Sequence, residues 1–323
     1  MRVELTGDPA AFRARDWTRL VDADPSGTLF HTPAYLKLWW EEFGTGSHAL
    51  ALVEEGGWDV GACAFELVDG RLLFLGGFDV TDYMGPVAEV APEEVAGELL
   101  EAVVALPWNE MDLRGIPEDS AWLRALASAA GALGLPVQHA ADGVAPLISL
   151  DGSFDAYLAN LPAKLRHELR RKERRLRAET GGYGMVLSTV RTLAEDMDRF
   201  LELHRASPGP KGKFMDPGME IFFRRLGETF LAQDRFHLAF VEIGGEKVAG
   251  AIGLSHGNTF CLYNSAFDRE FAPLSPGTVL VAGLIRRAAQ QGWSRFDMLK
   301  GDLDYKYRFG ARPRPVGRLV VRR

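Results

Sequence analysis

"SPGTVLVAGLIRRAAQQGWSRFDMLKG" occupies residues 275–301 and carries the pattern that decides the fold. Ser275 and Pro276 read as an N-cap followed by proline at the first helical position, where a backbone N–H is not needed. An apolar stripe at helical spacing follows. Gly292 ends it, and a strand then opens with Trp293 and reaches Asp297 four residues on. The order returns in the first half, where "APEEVAGELLEAVVAL" is a proline-started helix and "WNEMDLRG" opens with Trp108 and reaches Asp112.

Working outward, each half places a hairpin before that helix. "WDVGACAFELVDGRLLFLGG" turns at Asp69-Gly70, and "EKVAGAIGLSHGNTFCLYNS" turns at His256-Gly257-Asn258. A capped helix precedes each hairpin. "HTPAYLKLWWEEF" starts on Thr32 and Pro33, and "MDPGMEIFFRRLGETF" starts on Asp216 and Pro217. Gly61 precedes Trp108 by 47 residues and Gly250 precedes Trp293 by 43. Four matches in order predict two copies of one α/β unit with a mixed sheet. The boundary falls in "DGVAPLISLDGSFDAY", giving domains 1–150 and 151–323. "ASPGPKGKFMDPG" (206–218) reads as a loop.

Charge divides the chain in the same place. Its formal net charge is -7, but residues 1–160 hold 8 Lys/Arg against 26 Asp/Glu, a balance of -18. Residues 161–323 hold 29 against 18, a balance of +11. The sign changes at "LPAKLRHELRRKERRL" (161–176), a helix with an apolar stripe at Leu165, Leu169 and Leu176. Its basic remainder reads either as the wall of an anion site or as a solvated face answering the acidic first domain. Lys306 to Arg323 adds seven Lys/Arg and no acid, which could extend a basic surface toward RNA.

With 323 residues, 47% of them hydrophobic, the chain can bury a sizeable core. The N-terminus has no apolar leader segment, and no run predicts a membrane span. Cys63 and Cys261 sit in strand-like runs and read as buried free thiols, fitting a cytoplasmic setting. No Cys/His spacing suggests a metal site, and neither a Gly-x-Ser-x-Gly nor a Cys-His signature is present.

Three stretches bear a likeness. They are "KLRHELRRKERRL", "AFDREFAPLSPGTVL" and "FDMLKGDLDYKYRFG", the last resembling an aromatic-Lys-x-x-Phe-Gly pattern after a glycine-containing loop. In this order the chain resembles tandem GNAT acetyltransferases related to CelD and to the Fem peptidyltransferases. The resemblance implies two GNAT-like domains with a cleft between them and the second copy as donor-binding. It also implies acyl transfer from acyl-CoA to an amine by direct attack, without an acyl-enzyme or a metal. The acceptor would be a small-molecule or cell-envelope amine. Fem-type transfer from aminoacyl-tRNA and a non-catalytic binding protein are the alternatives. The chain departs from the acetyltransferases in lacking a Gln/Arg-x-x-Gly-x-Gly/Ala loop, and from many Fem enzymes in lacking a helical hairpin.

Individual residues follow. Gly277 and Thr278 would offer free N–H groups to a phosphate at the helix start, beside Ser275; ordinary N-capping is the plainer reading. Lys306 could supply a cation to an oxyanion, with Asp302 as base or orienter, or could be a solvated lysine paired with Asp302. Tyr263, beside Asn264, could face the acyl group or be a core tyrosine. Asp82 and Tyr83 could close an acceptor groove or form a turn with a packed ring. Lys164, Arg166 and Arg170 are the basic-helix residues expected to meet an anionic substrate.

Overall fold

The computed structural model describes residues 1–8 and 15–323; residues 9–14, part of the N-terminal segment read for a leader, lie outside them. It divides into two compact units, Met1–Val144 with Arg314–Arg323, and Ala145–Pro313. Among the described residues no helix is long and apolar enough to cross a membrane.

The first unit contains strands β1 (Arg2–Thr6), β2 (Ser47–Glu55), β3 (Trp58–Val68), β4 (Arg71–Phe74), β5 (Val87–Ala88), β6 (Glu110–Pro117) and β7 (Val137–Val144). Its helices are α1 (Thr18–Ala23), α2 (Pro33–Phe43), α3 (Pro92–Val104) and α4 (Ala121–Ala132). The second holds β8 (Leu147–Ser149), β9 (Gly184–Leu187), β10 (Phe236–Ile243), β11 (Glu246–His256), β12 (Thr259–Phe267) and β13 (Arg295–Asp297). Its helices are α5 (Phe154–Asn160), α6 (Ala163–Thr180), α7 (Leu193–Arg205), α8 (Pro210–Phe214), α9 (Pro217–Phe230), α10 (Pro276–Gln290) and α11 (Asp304–Tyr307). Strand β14 (Pro315–Arg322) belongs to the first unit.

Local signals build these elements as read. Thr32 accepts from the Tyr35 N–H to start α2, and Asp216 accepts from the Met219 N–H to start α9. Asp69 and Gly70 both have positive φ, the type I′ geometry that closes β3 onto β4. The residue spacing counted from Gly61 and Gly250 does not mark equivalent positions. A Cβ on Gly61 would press on Val95 of α3, whereas one on Gly250 would press on Phe240 and on Phe200 of α7. The loop expected over 206–218 contains the short helix α8.

Both sheets are mixed. Among the described residues the first runs β1-β2-β3-β4-β6-β14-β7 with β5 on β3, and the second runs β8-β13-β12-β11-β10-β9. Each has one parallel pair of three residues, bridged by the proline-started helix: Arg71↔Glu110 to Leu73↔Asp112, and Thr259↔Arg295 to Cys261↔Asp297. A parallel neighbour needs such a crossover. The two aspartates thus occupy matching ends of the two pairs. In the second unit α10 buries Leu280, Leu284 and Ile285 with Phe260, Leu262 and Phe296, each side chain contributing about 1.5–3 kcal/mol of burial.

The tail overturns part of the division at residue 150. β14 pairs with β6 and β7, so the chain's end completes the first unit's sheet. Its arginines answer that unit's acids. Arg314 pairs with Asp119, Arg318 with Asp112 and Arg322 with Glu110. The basic run from Lys306 to Arg323 is therefore divided between the two units.

Candidate active site

Strand β12 outlives its parallel partner. Pairing with β13 stops at Cys261↔Asp297, while β12 continues to Phe267 against β11 alone. Its register slips between Ile252 and Gly253, leaving Tyr263 as the extra residue of a bulge. A cavity of about 540 Å³ adjoins the open end of β12. Ser265, Ala266 and Phe267 line it from the strand, and Ser275 to Thr278 from the start of α10. Lys172 of α6, Lys211 of α8, Ala272, Val281 and the segment bearing Leu303, Tyr305, Arg308 and Phe309 complete it. Its size suits an organic ligand.

The helix start is built differently from the N-cap expected. Ser275 lies in the left-handed region (φ 57°, ψ 45°), and its side chain makes no capping bond. Its carbonyl instead receives the Thr278 N–H at 3.0 Å and the Val279 N–H at 3.2 Å. Thr278 therefore has no free N–H, because the tight turn consumes it. Pro276 has none to give. Gly277 alone keeps an N–H without a protein partner among the described residues. A Cβ on Gly277 would also press within 3.2 Å of the Phe267 ring.

Side-chain cations line the same cavity. Lys172 donates to the Thr278 hydroxyl at 3.3 Å and lies 3.8 Å from Glu168. Burial lowers the proton affinity of Lys172 first; Glu168 opposes this, and the like charges of Arg308 and Arg171 reinforce it. Lys172 and Arg308 thus place two like charges beside a helix N-terminus, whose dipole also favours negative charge. Tyr305 is 39% exposed, and partial desolvation raises its hydroxyl pKa. Lys211 donates to the Ser265 carbonyl.

The other residues singled out from the sequence lie elsewhere. Lys306 is 3% exposed and points into the protein, donating to the Leu299 and Lys300 carbonyls at 2.7 and 2.8 Å. Leu299 has φ 58°, a strained conformation for leucine, and its N–H donates to Asp297 at 2.7 Å. Lys306 and Asp297 thus fix this loop from two sides. Asp302 accepts from the Tyr307 hydroxyl. Tyr263 stacks on Phe223 of α9 with centroids 5.3 Å apart. None of Lys306, Asp302 and Tyr263 lines the cavity.

On α6, Arg166 donates to the Leu158 and Ala159 carbonyls, completing the end of α5. Arg170 borders a separate space of about 250 Å³ with Glu173 and Arg286. Lys164 is exposed. Asp82 and Tyr83 belong to the first unit, where Tyr83 is buried, tilted against Phe30 and under Arg314. The sequence reading missed Lys172, Lys211, Tyr305 and Arg308. Only their charge and the aromatic run at 305–309 signalled them. Among the described residues no His, Cys, Asp and Glu group is arranged to hold a metal ion.

Residues 163–307 match the acetyltransferase (GNAT) domain family, and all the cavity-lining residues except Arg308 and Phe309 fall within that range. The fold is that of tandem GNAT-like proteins. FemX aligns with a TM-score of 0.70 at 14% identity, covering 98% of this chain and 97% of that one. The L-PGS of Bacillus licheniformis aligns with a TM-score of 0.61 at 15% identity, covering 98% and 92%. A tandem GNAT protein from the clavulanic acid biosynthesis pathway aligns with a TM-score of 0.50 at 11% identity, covering 99% and 98%. No curated protein matches the sequence.

Proposed function

We propose that the chain, whose residues 163–307 match an acetyltransferase domain, is a cytoplasmic N-acyltransferase that takes its acyl group from acyl-CoA in the second unit. The carrying observation is the cation-rimmed start of α10. The Gly277 N–H, the Thr278 hydroxyl, Lys172 and Arg308 would hold the donor's phosphate groups. The unpaired end of β12 offers backbone groups to the rest of the donor, and the bulge at Tyr263 turns the strand where the thioester would lie. A neutral amine then attacks the carbonyl directly, the new carbon–nitrogen bond forming as the carbon–sulfur bond breaks; Tyr305 protonates the departing thiolate and is restored by the proton that the acceptor nitrogen gives up. Lys306 acts as a positioning residue, holding the 299–301 loop, which leaves the oxyanion to other donors. The acceptor is a small-molecule or cell-envelope amine.

Calorimetric titration with CoA and acyl-CoAs of several chain lengths tests the donor. Saturable binding is expected; absence of heat at millimolar ligand for every chain length overturns it. A second reading, aminoacyl transfer from charged tRNA, is favoured by Arg170 and Arg174. Both are exposed on α6 with no hydrogen-bond or ion-pair partner among the described residues. It requires salt-sensitive tRNA binding that disappears in Arg170→Glu/Arg174→Glu.

A further inference from the structure

The donor cavity contains two lysines, and they are held differently. Lys172 is engaged by the Thr278 hydroxyl and Glu168. Lys211 has no carboxylate within ion-pair distance among the described residues and donates to the Ser265 carbonyl on the open end of β12. That carbonyl belongs to the strand segment along which, on the donor reading above, the acyl carrier lies. We propose that the chain acylates its own Lys211.

The chemistry follows from placement. A lysine attacks a thioester only as the neutral amine. Lys211 is solvent-accessible at the cavity mouth, its cavity neighbours partly desolvate it and lower its proton affinity, and among the described residues no carboxylate lies within ion-pair distance to restore it. The short helix α8 places the amine at the cavity wall, beside Ser265 and Phe267. In the step, Lys211 Nζ forms an amide bond to the acyl carbon and the carbon–sulfur bond breaks. The thiolate leaves with the electron pair, and the ammonium proton passes to it, giving acyl-lysine and free CoA. No oxidant, metal or further reactant is consumed. The product removes one cation from a cavity lined by Lys172, Lys211 and Arg308, so the acylated chain should bind its donor more weakly.

The proposal rests on the acyl-CoA reading, and the experiment separates the two. The full chain is first titrated with CoA, then incubated with acetyl-CoA and mapped by peptide mass spectrometry. Expected is one acetyl group on Lys211 that accumulates faster as pH rises, with Lys213, two residues away on the same helix, left unmodified. Lys211→Arg should abolish it, and Lys172→Gln should slow it about tenfold at subsaturating donor, the loss of one charge-assisted contact. Saturable CoA binding without acetyl on Lys211 overturns self-acylation while leaving the donor reading intact. Equal modification of Lys211 and Lys213 overturns it too, as ordinary surface chemistry. Absence of CoA binding removes both.

Discussion

The two units begin the same helix in opposite ways. In the first, α3 follows Ala91 with Pro92, Glu93 and Glu94, so its positive end is met by two carboxylates of its own first turn. In the second, α10 follows Ser275 with Pro276, Gly277 and Thr278, and its first turn carries no acid. Anionic side chains stabilise a helix N-terminus, and their absence leaves that end for a ligand. The aspartates ending the parallel pairs differ in the same sense. Asp112 is fully buried and held by Arg71, Arg114 and Arg318. Asp297 supports a backbone N–H of the strained loop. In the first unit these positions carry the unit's own charge pairs, while in the second the helix start lines a cavity.

The largest effect that can break this comparison is in the first unit. Asp112→Asn leaves three guanidiniums around a neutral amide, and loss of one partner of a buried ion pair costs about 3–5 kcal/mol. The urea midpoint should fall accordingly. The pH dependence has a definite sign. Burial raises the Asp112 pKa, but hydrogen bonds and charge from Arg114 and Arg318 outweigh it, and the folded value is lowered. Its contribution is therefore present above the ordinary carboxylate range and lost as pH falls through the lowered value. Flat stability across that acid window in the wild type would contradict the assignment.

Next is Lys306→Met in the second unit. Two buried carbonyls lose a charged donor, a cost of about 3 kcal/mol, read as a lower unfolding midpoint. A variant with wild-type stability and no turnover would instead make Lys306 a direct participant in the chemistry. Tyr305→Phe should leave stability and KM nearly unchanged and lower kcat about a hundredfold, the lower range for loss of a general acid. Unchanged kcat would assign the proton to another group.

Local rules made much of this fold legible. Thr32, Asp216 and Asp69-Gly70 are decided within a few residues, and the sequence reading placed them correctly; the strands expected to open at Trp108 and Trp293 begin two residues later, at Glu110 and Arg295. Ser275 shows where such rules stop. Its side chain and the following proline fit an N-cap, yet the turn from Asp268 enters α10 through a left-handed serine, which consumes the Thr278 N–H. The site cations converge from positions far apart in the chain. Lys172 and Thr278 are separated by 106 residues, and no local pattern joins them. Lys306 looked like a charged group beside a reaction centre, but its ammonium satisfies carbonyls that only the folded loop presents. The return of β14 to β6 spans about two hundred residues and, like other nonlocal pairings, left no periodic signal.

One titration tests the central claim, that the second unit's helix start holds the donor. CoA binding is measured by calorimetry for the wild type, Lys172→Glu/Arg308→Glu and Glu93→Gln/Glu94→Gln. The account predicts that the first pair weakens binding at least a hundredfold, about two charge-assisted contacts, and that the second leaves Kd unchanged. Undiminished binding in Lys172→Glu/Arg308→Glu, or loss of binding in the first-unit variant, would contradict it.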